Sequence, residues 1–132
     1  MLTLKAFIVR NSIKAESVMV DSNPHMTGYG SQNMDHYKVT LRRKGRQLTV
    51  FFSMGPALCR EPSAEDVLDC LASDSSSVEN AQSFEDWASE LGYDADSRKA
   101  ERTYRLCCTQ AGKLKRFLGE DLYKQLLWEV ER

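Results

Sequence analysis

Long hydrophobic runs are missing from this chain. No apolar stretch in its 132 residues approaches the roughly 18–20 that a membrane-spanning helix needs. The opening "MLTLKAFIVRNSIKAESV" has only a short apolar stretch broken by lysine and arginine, a poor signal peptide, which predicts a cytoplasmic protein with no membrane contact. A metal-binding cysteine pattern is missing: Cys59, Cys70, Cys107 and Cys108 include no C-x-x-C spacing and one adjacent pair, which argues against a compact zinc site. In a reducing compartment they read as small apolar core residues. A charge excess of one sign is also absent. Eighteen Lys and Arg face 19 Asp and Glu, so the net charge of −1 gives no overall steering toward nucleic acid.

Signals of catalysis are absent as well. His25 falls in a loop and His36 at a strand start, with no nucleophile readable beside either. Ser53-Met54-Gly55-Pro56 is not a nucleophile elbow, and Gly28-Tyr29-Gly30 lacks the longer glycine spacing and following helix of a phosphate loop. The many carboxylates fall on apparent helix surfaces, where solvent keeps them ordinary acids. Cys107 lies on an apolar stripe, where burial makes a thiol inert. The expectation is a protein without catalytic residues, cofactor or metal.

What is present fits one α+β domain over residues 1–132, strands first and helices after. "LTLKAFIV" and "AESVMV" read as two short strands, and residues 21–34, dense in Ser, Asn, Gly and Pro, as a loop. "HYKVTLRRKGRQLTVFFSMG" is the clearest hairpin, with Tyr37, Val39, Leu41, Leu48, Val50 and Phe52 on one face and a turn near Lys44-Gly45. Phe51 belongs on the outer face, where an aromatic needs a cover and a homodimer is one way to supply it. This gives about four strands within residues 1–55 and about four helices packed on them from 62 to 131.

Ser63–Asp66 and Ser83–Asp86 are capping signatures. The first precedes a stripe of Val67, Leu68 and Leu71; the second precedes a short helix with Phe84, Trp87, Ala88 and Leu91 inward and Gly92 as its stop. Between them "SDSSSVENAQ" reads as a loop of roughly ten residues. The longest helix begins near Asp96 or Ser97 and runs to Leu118, burying Ala100, Tyr104, Cys107, Cys108, Ala111, Leu114 and Leu118. After Gly119, "EDLYKQLLWEV" makes a last helix with Leu122, Leu126, Leu127 and Val130 inward, and Trp128 also reads as core.

Charge is sorted along the chain. From Glu61 to Asp96 there is no Lys or Arg. Asp66, Glu85 and Asp86 suit helix first turns, and Asp94 and Asp96 the start of the long helix. Asp69, Asp74, Glu79 and Glu90 exceed what capping needs. An acidic face of this size can occupy a basic groove on a nucleic-acid-handling partner, or be only a solvated face balanced by the next helix. Arg98, Arg102 and Arg105 share one side of the long helix, and Arg42, Arg43, Lys44 and Arg46 crowd the hairpin tip. Each group can grip phosphate or simply keep the surface soluble.

The motif "DVLDCLASD" joined to "SFEDWA" and "GYDADSRKAE", with "VTLRRKGRQLTVFFSMGPA", "MDHYKVTL" and "KLKRFLGEDLYKQLL", resembles a group of small proteins of bacteriophages, prophages and other mobile elements. The resemblance spans most of the chain and carries no residue-level function. It implies a setting: small phage proteins of this size are often similar to anti-defence factors such as anti-CRISPR proteins, which block a host nucleic-acid-handling complex by binding. The expected partner is then a host defence complex, a CRISPR effector foremost, in the bacterial cytoplasm, with the protein acting as monomer or homodimer. The alternative is an accessory protein that binds nucleic acid through the basic hairpin and helix.

Overall fold

The computed structural model describes residues 2–23, 34–55 and 60–132. Its elements are β1 (Leu2–Thr3), α1 (Leu4–Arg10), β2 (Lys14–Asn23), β3 (Met34–Arg43), β4 (Arg46–Met54), α2 (Ala64–Glu79), α3 (Phe84–Glu90), α4 (Arg98–Leu118), α5 (Glu120–Trp128) and β5 (Val130–Glu131). The class is α+β as expected. β2, β3 and β4 form an antiparallel sheet in that order, and β1 pairs with β5 in a separate parallel pair. The chain divides into two compact units, one of residues Lys5–Val67 and one of Met1–Leu4 with Leu68–Arg132.

In the first unit the hairpin pairs Tyr37 with Phe52, Val39 with Val50 and Leu41 with Leu48. Five of these six are buried, each removal of such a side chain from water being worth about 1.5–3 kcal/mol. On the opposite face Val18, Lys38 and Phe51 stand in one row, and Phe51 is 75% exposed, as its place in the alternation predicts. Lys44 (φ 47°) and Gly45 (φ 77°) make a two-residue turn with both residues left-handed, the form whose twist matches a hairpin. The strands on either side of the expected 21–34 loop reach Asn23 and Met34. The rest of that loop, with His25 and Gly28-Tyr29-Gly30, and Cys59 lie outside the described residues.

The strand expected over residues 2–9 is corrected. Only Leu2–Thr3 is extended, and Leu4–Arg10 is helical. Leu4 and Phe7 are buried at helical spacing while Val9 is 73% exposed. The helix ends in a Schellman motif: Ser12 (φ 53°) donates its N–H to Val9 O at 3.1 Å, and Ile13 donates to Ile8 O at 3.0 Å. At α2 the capping box forms as read. Asp66 accepts from the Ser63 backbone at 2.9 Å, and Ser63 Oγ accepts from the Asp66 backbone at 3.2 Å.

In the second unit α2 continues through the serines expected to be a loop. Leu68, Leu71, Ala72 and Ser75 are buried at helical spacing, so tertiary packing holds the helix to Glu79. Ser77 Oγ donates to Asp74 O at 2.6 Å and accepts from Trp87 Nε1 at 3.0 Å. Trp87 is the hub: Tyr93 and Tyr104 lie 5.4 and 5.3 Å from its ring centre. Ser83 caps α3 and Gly92 (φ 77°) follows it, where a side chain would be strained. Ser97 caps α4 by accepting from Lys99 and Ala100.

The buried stripe of α4 is Ala100, Cys107, Ala111, Leu114, Phe117 and Leu118. Cys108, expected inside, is exposed, and Tyr104 is half-buried among the aromatics. On α5, Tyr123 is buried where Leu122 was expected, and Trp128 is 52% exposed. With Tyr123, Leu126, Leu127 and Val130 inward, position 128 faces water. Leu91 likewise stands 52% exposed after α3.

Candidate functional site

Basic residues gather at the end of the three-stranded sheet. Lys14, Arg42, Arg43, Lys44 and Arg46 all line one cavity of about 260 Å³. Lys14 joins them only through the strand register, which sets it opposite Arg42. Arg42 donates to Gln47 Oε1 at 2.7 Å and pairs with Glu16 at 3.4 Å. Arg43 is half-buried, and its Nε has no hydrogen-bond partner.

A second set lies along α4. Arg98, Arg102, Arg105, Lys113 and Arg116 are all exposed, and at 100° per residue they fall in one stripe opposite the buried face. The helix runs unbroken through Gly112, which extends the stripe beyond the Arg98–Arg105 cluster to a length of about 27 Å. Arg105 pairs with Glu101 one turn earlier. Exposed pairs of this kind contribute less than about 1 kcal/mol.

The nine acids differ in their local surroundings. Asp66 is committed to the α2 cap and to Arg60, whose guanidinium, with Ser63, holds its carboxyl down at about 2. Asp69 lies 3.8 Å from Arg132. Asp74 is half-buried, and burial raises its pKa. Glu79 lines a cavity of about 380 Å³ with Lys115 and Tyr123, where burial first and then the Glu79 charge push the tyrosine up to about 12. Asp94 accepts from the Asp96 backbone at 3.0 Å in the turn before α4.

Asp86 and Glu90 are brought together. They line a cleft of about 310 Å³ between α2 and α3, with Trp87 on its wall and Ser73, Ser76 and Asn80 opposite. Asp86 caps α3, accepting from the Gln82 backbone at 3.1 Å, and it remains exposed; Glu85 and Glu90 are exposed beside it. Ser76 Oγ is buried without a hydrogen-bond partner. Trp87 is itself buried against Tyr93 and Tyr104, so the two exposed carboxylates are what suit a cationic side chain such as arginine.

Charge also divides between the units. Residues 5–67 hold nine Lys and Arg against six Asp and Glu, a formal +3; the other unit holds nine against thirteen, a formal −4. The total of −1 conceals this separation.

One pairing escaped sequence reasoning. His36 and Ser53 are cross-strand partners, and Nδ1 lies 2.6 Å from Oγ. A hydroxyl bonded to an imidazole is one requirement of an activated nucleophile, which also needs a water-excluded pocket. This pair is exposed. Burial pushes the Cys107 thiol up to about 11, which disfavours the reactive thiolate. Among the described residues no group of three His, Cys, Asp or Glu side chains is placed to hold a metal, and no helix is long and apolar enough to cross a membrane. Neither a family model, nor a curated protein, nor a solved structure matches the chain. Its surfaces must be read from their own chemistry.

Proposed function

We propose that this chain is a non-catalytic accessory protein of a bacteriophage or other mobile element that inhibits a host defence system. It docks on a nucleic-acid-handling complex, a CRISPR effector foremost. The observation that carries this reading is the α2–α3 cleft, which Asp86 and Glu90 line in the acidic unit. Such a cleft receives a basic side chain of the kind that lines a nucleic-acid groove. The sequence resemblance supplies the setting.

The test is capture of the tagged protein from a defence-carrying host, with and without nuclease, beside the Glu90→Lys variant. Retention of the complex after nuclease, and its loss in a Glu90→Lys protein that still melts cooperatively, is the expected result. Capture that vanishes with nuclease overturns the reading.

A second reading, binding of nucleic acid itself, is favoured by the α4 stripe, which sets five exposed cations along about 27 Å. Under it, Arg98→Gln weakens oligonucleotide binding across all sequences. It also lowers the slope of log K against log salt by about one.

A further inference from the structure

We infer that the cavity at the tip of the β3–β4 hairpin is a binding site for a compact, multiply charged phosphate group: a terminal phosphomonoester or a polyphosphate. It belongs to the basic unit and shares no residue with the α2–α3 cleft, so it goes beyond the inhibitor reading. Three stretches of chain build it: Ser12 and Lys14 at the start of β2, Arg42 and Arg43 at the end of β3, and the turn into Arg46.

The strand register makes this convergence costly. Lys14 sits directly opposite Arg42, and Arg43 directly opposite Arg46. Like charges in directly opposed positions destabilise a sheet. Glu16 gives Arg42 one carboxylate. Arg43 keeps its Nε buried without an acceptor. The two pairs stand on opposite faces of the sheet, and a polyanion in the cavity that their side chains line at its end lowers the repulsion among them.

Charge narrows the ligand. The cavity is open to solvent, so its five cations rather than its volume select what it holds. A backbone diester brings one negative charge. A phosphomonoester brings about 1.5–2 at pH 7 and a pyrophosphate more, which matches five cations better.

The experiment titrates the intact protein with inorganic pyrophosphate by calorimetry, with sulfate at equal ionic strength as control, and follows thermal melting in parallel. Two variants accompany it. Arg46→Gln removes one member of an opposed pair. Lys44→Asn removes a cation while placing Asn-Gly in the left-handed turn, the pair that turn prefers, so it melts no lower than the parent without ligand. Pyrophosphate should bind and raise the melting temperature. Each variant should weaken binding by about tenfold.

A parallel comparison uses 5′-phosphorylated and 5′-hydroxyl forms of one oligonucleotide. Preference for the phosphorylated form assigns the site to nucleic-acid ends. Pyrophosphate binding without that preference assigns it to free polyphosphate or nucleotide. Pyrophosphate binding no tighter than sulfate, or unchanged in both variants, overturns the site. Glu90→Lys leaves the titration unchanged, which separates failure here from failure of the inhibitor reading.

Discussion

Asp66 joins three partners on one carboxylate: the Arg60 guanidinium, the Ser63 backbone and the Ser63 hydroxyl. Because the folded state depresses this group to about 2, its contribution is complete above the unfolded value near 4 and is lost as pH falls through the folded one. Asp66→Ala should cost about 1 kcal/mol at pH 7. Urea melts from pH 7 down to pH 2.5 should show the gap closing below about pH 4; a constant gap would mean the charge is irrelevant. Ser77 is a second single point. Removing its hydroxyl leaves the buried Trp87 N–H without the oxygen it donates to, and Ser77→Ala should destabilise by about 1–3 kcal/mol. A melt matching the parent would show that water replaces the serine.

At the scale of elements, what could be read in the sequence was what is local. The alternation in Tyr37–Phe52, the two Ser-x-x-Asp caps and the Lys44-Gly45 turn each declare themselves within a few residues, and each is found where read. Three elements depend on distant partners and are not legible locally. "LKAFIV" is rich enough in β-forming types to suggest a strand, yet burial of Leu4 and Phe7 and the Schellman cap at Ser12 make it helical. The serines of α2 resemble a turn until Trp87 accounts for Ser77. The β1–β5 pair joins segments of two residues each, which leave no periodic trace. The site follows the same rule: cations adjacent in sequence and the Arg98–Arg116 helix face are visible, whereas Lys14 and the Asp86–Glu90 cleft need the fold. Gly112 gives a test at this scale. A Cβ there would meet Arg116 Nη1 at an ordinary 3.5 Å, so Gly112→Ala should stabilise by up to about 1 kcal/mol through helix propensity, read as a rise in melting temperature.

Across the whole molecule, near-zero net charge is a balance between a basic unit and an acidic one rather than an even mixture. Raising salt from 50 to 500 mM should therefore weaken both proposed contacts, pyrophosphate at the hairpin and the protein complex at the cleft, despite a net charge of only −1. Capture insensitive to salt would point to an apolar contact, with the exposed Val18–Phe51 row as the surface to examine. The division has a temporal side as well. The basic unit is one continuous stretch, residues 5–67, while the acidic unit uses residues from both sides of it. On a ribosome the first has all its residues as soon as they emerge, but Leu2 must wait for Val130 before the parallel pair can close. Synthesis thus presents the basic hairpin to the cell before the acidic cleft is complete.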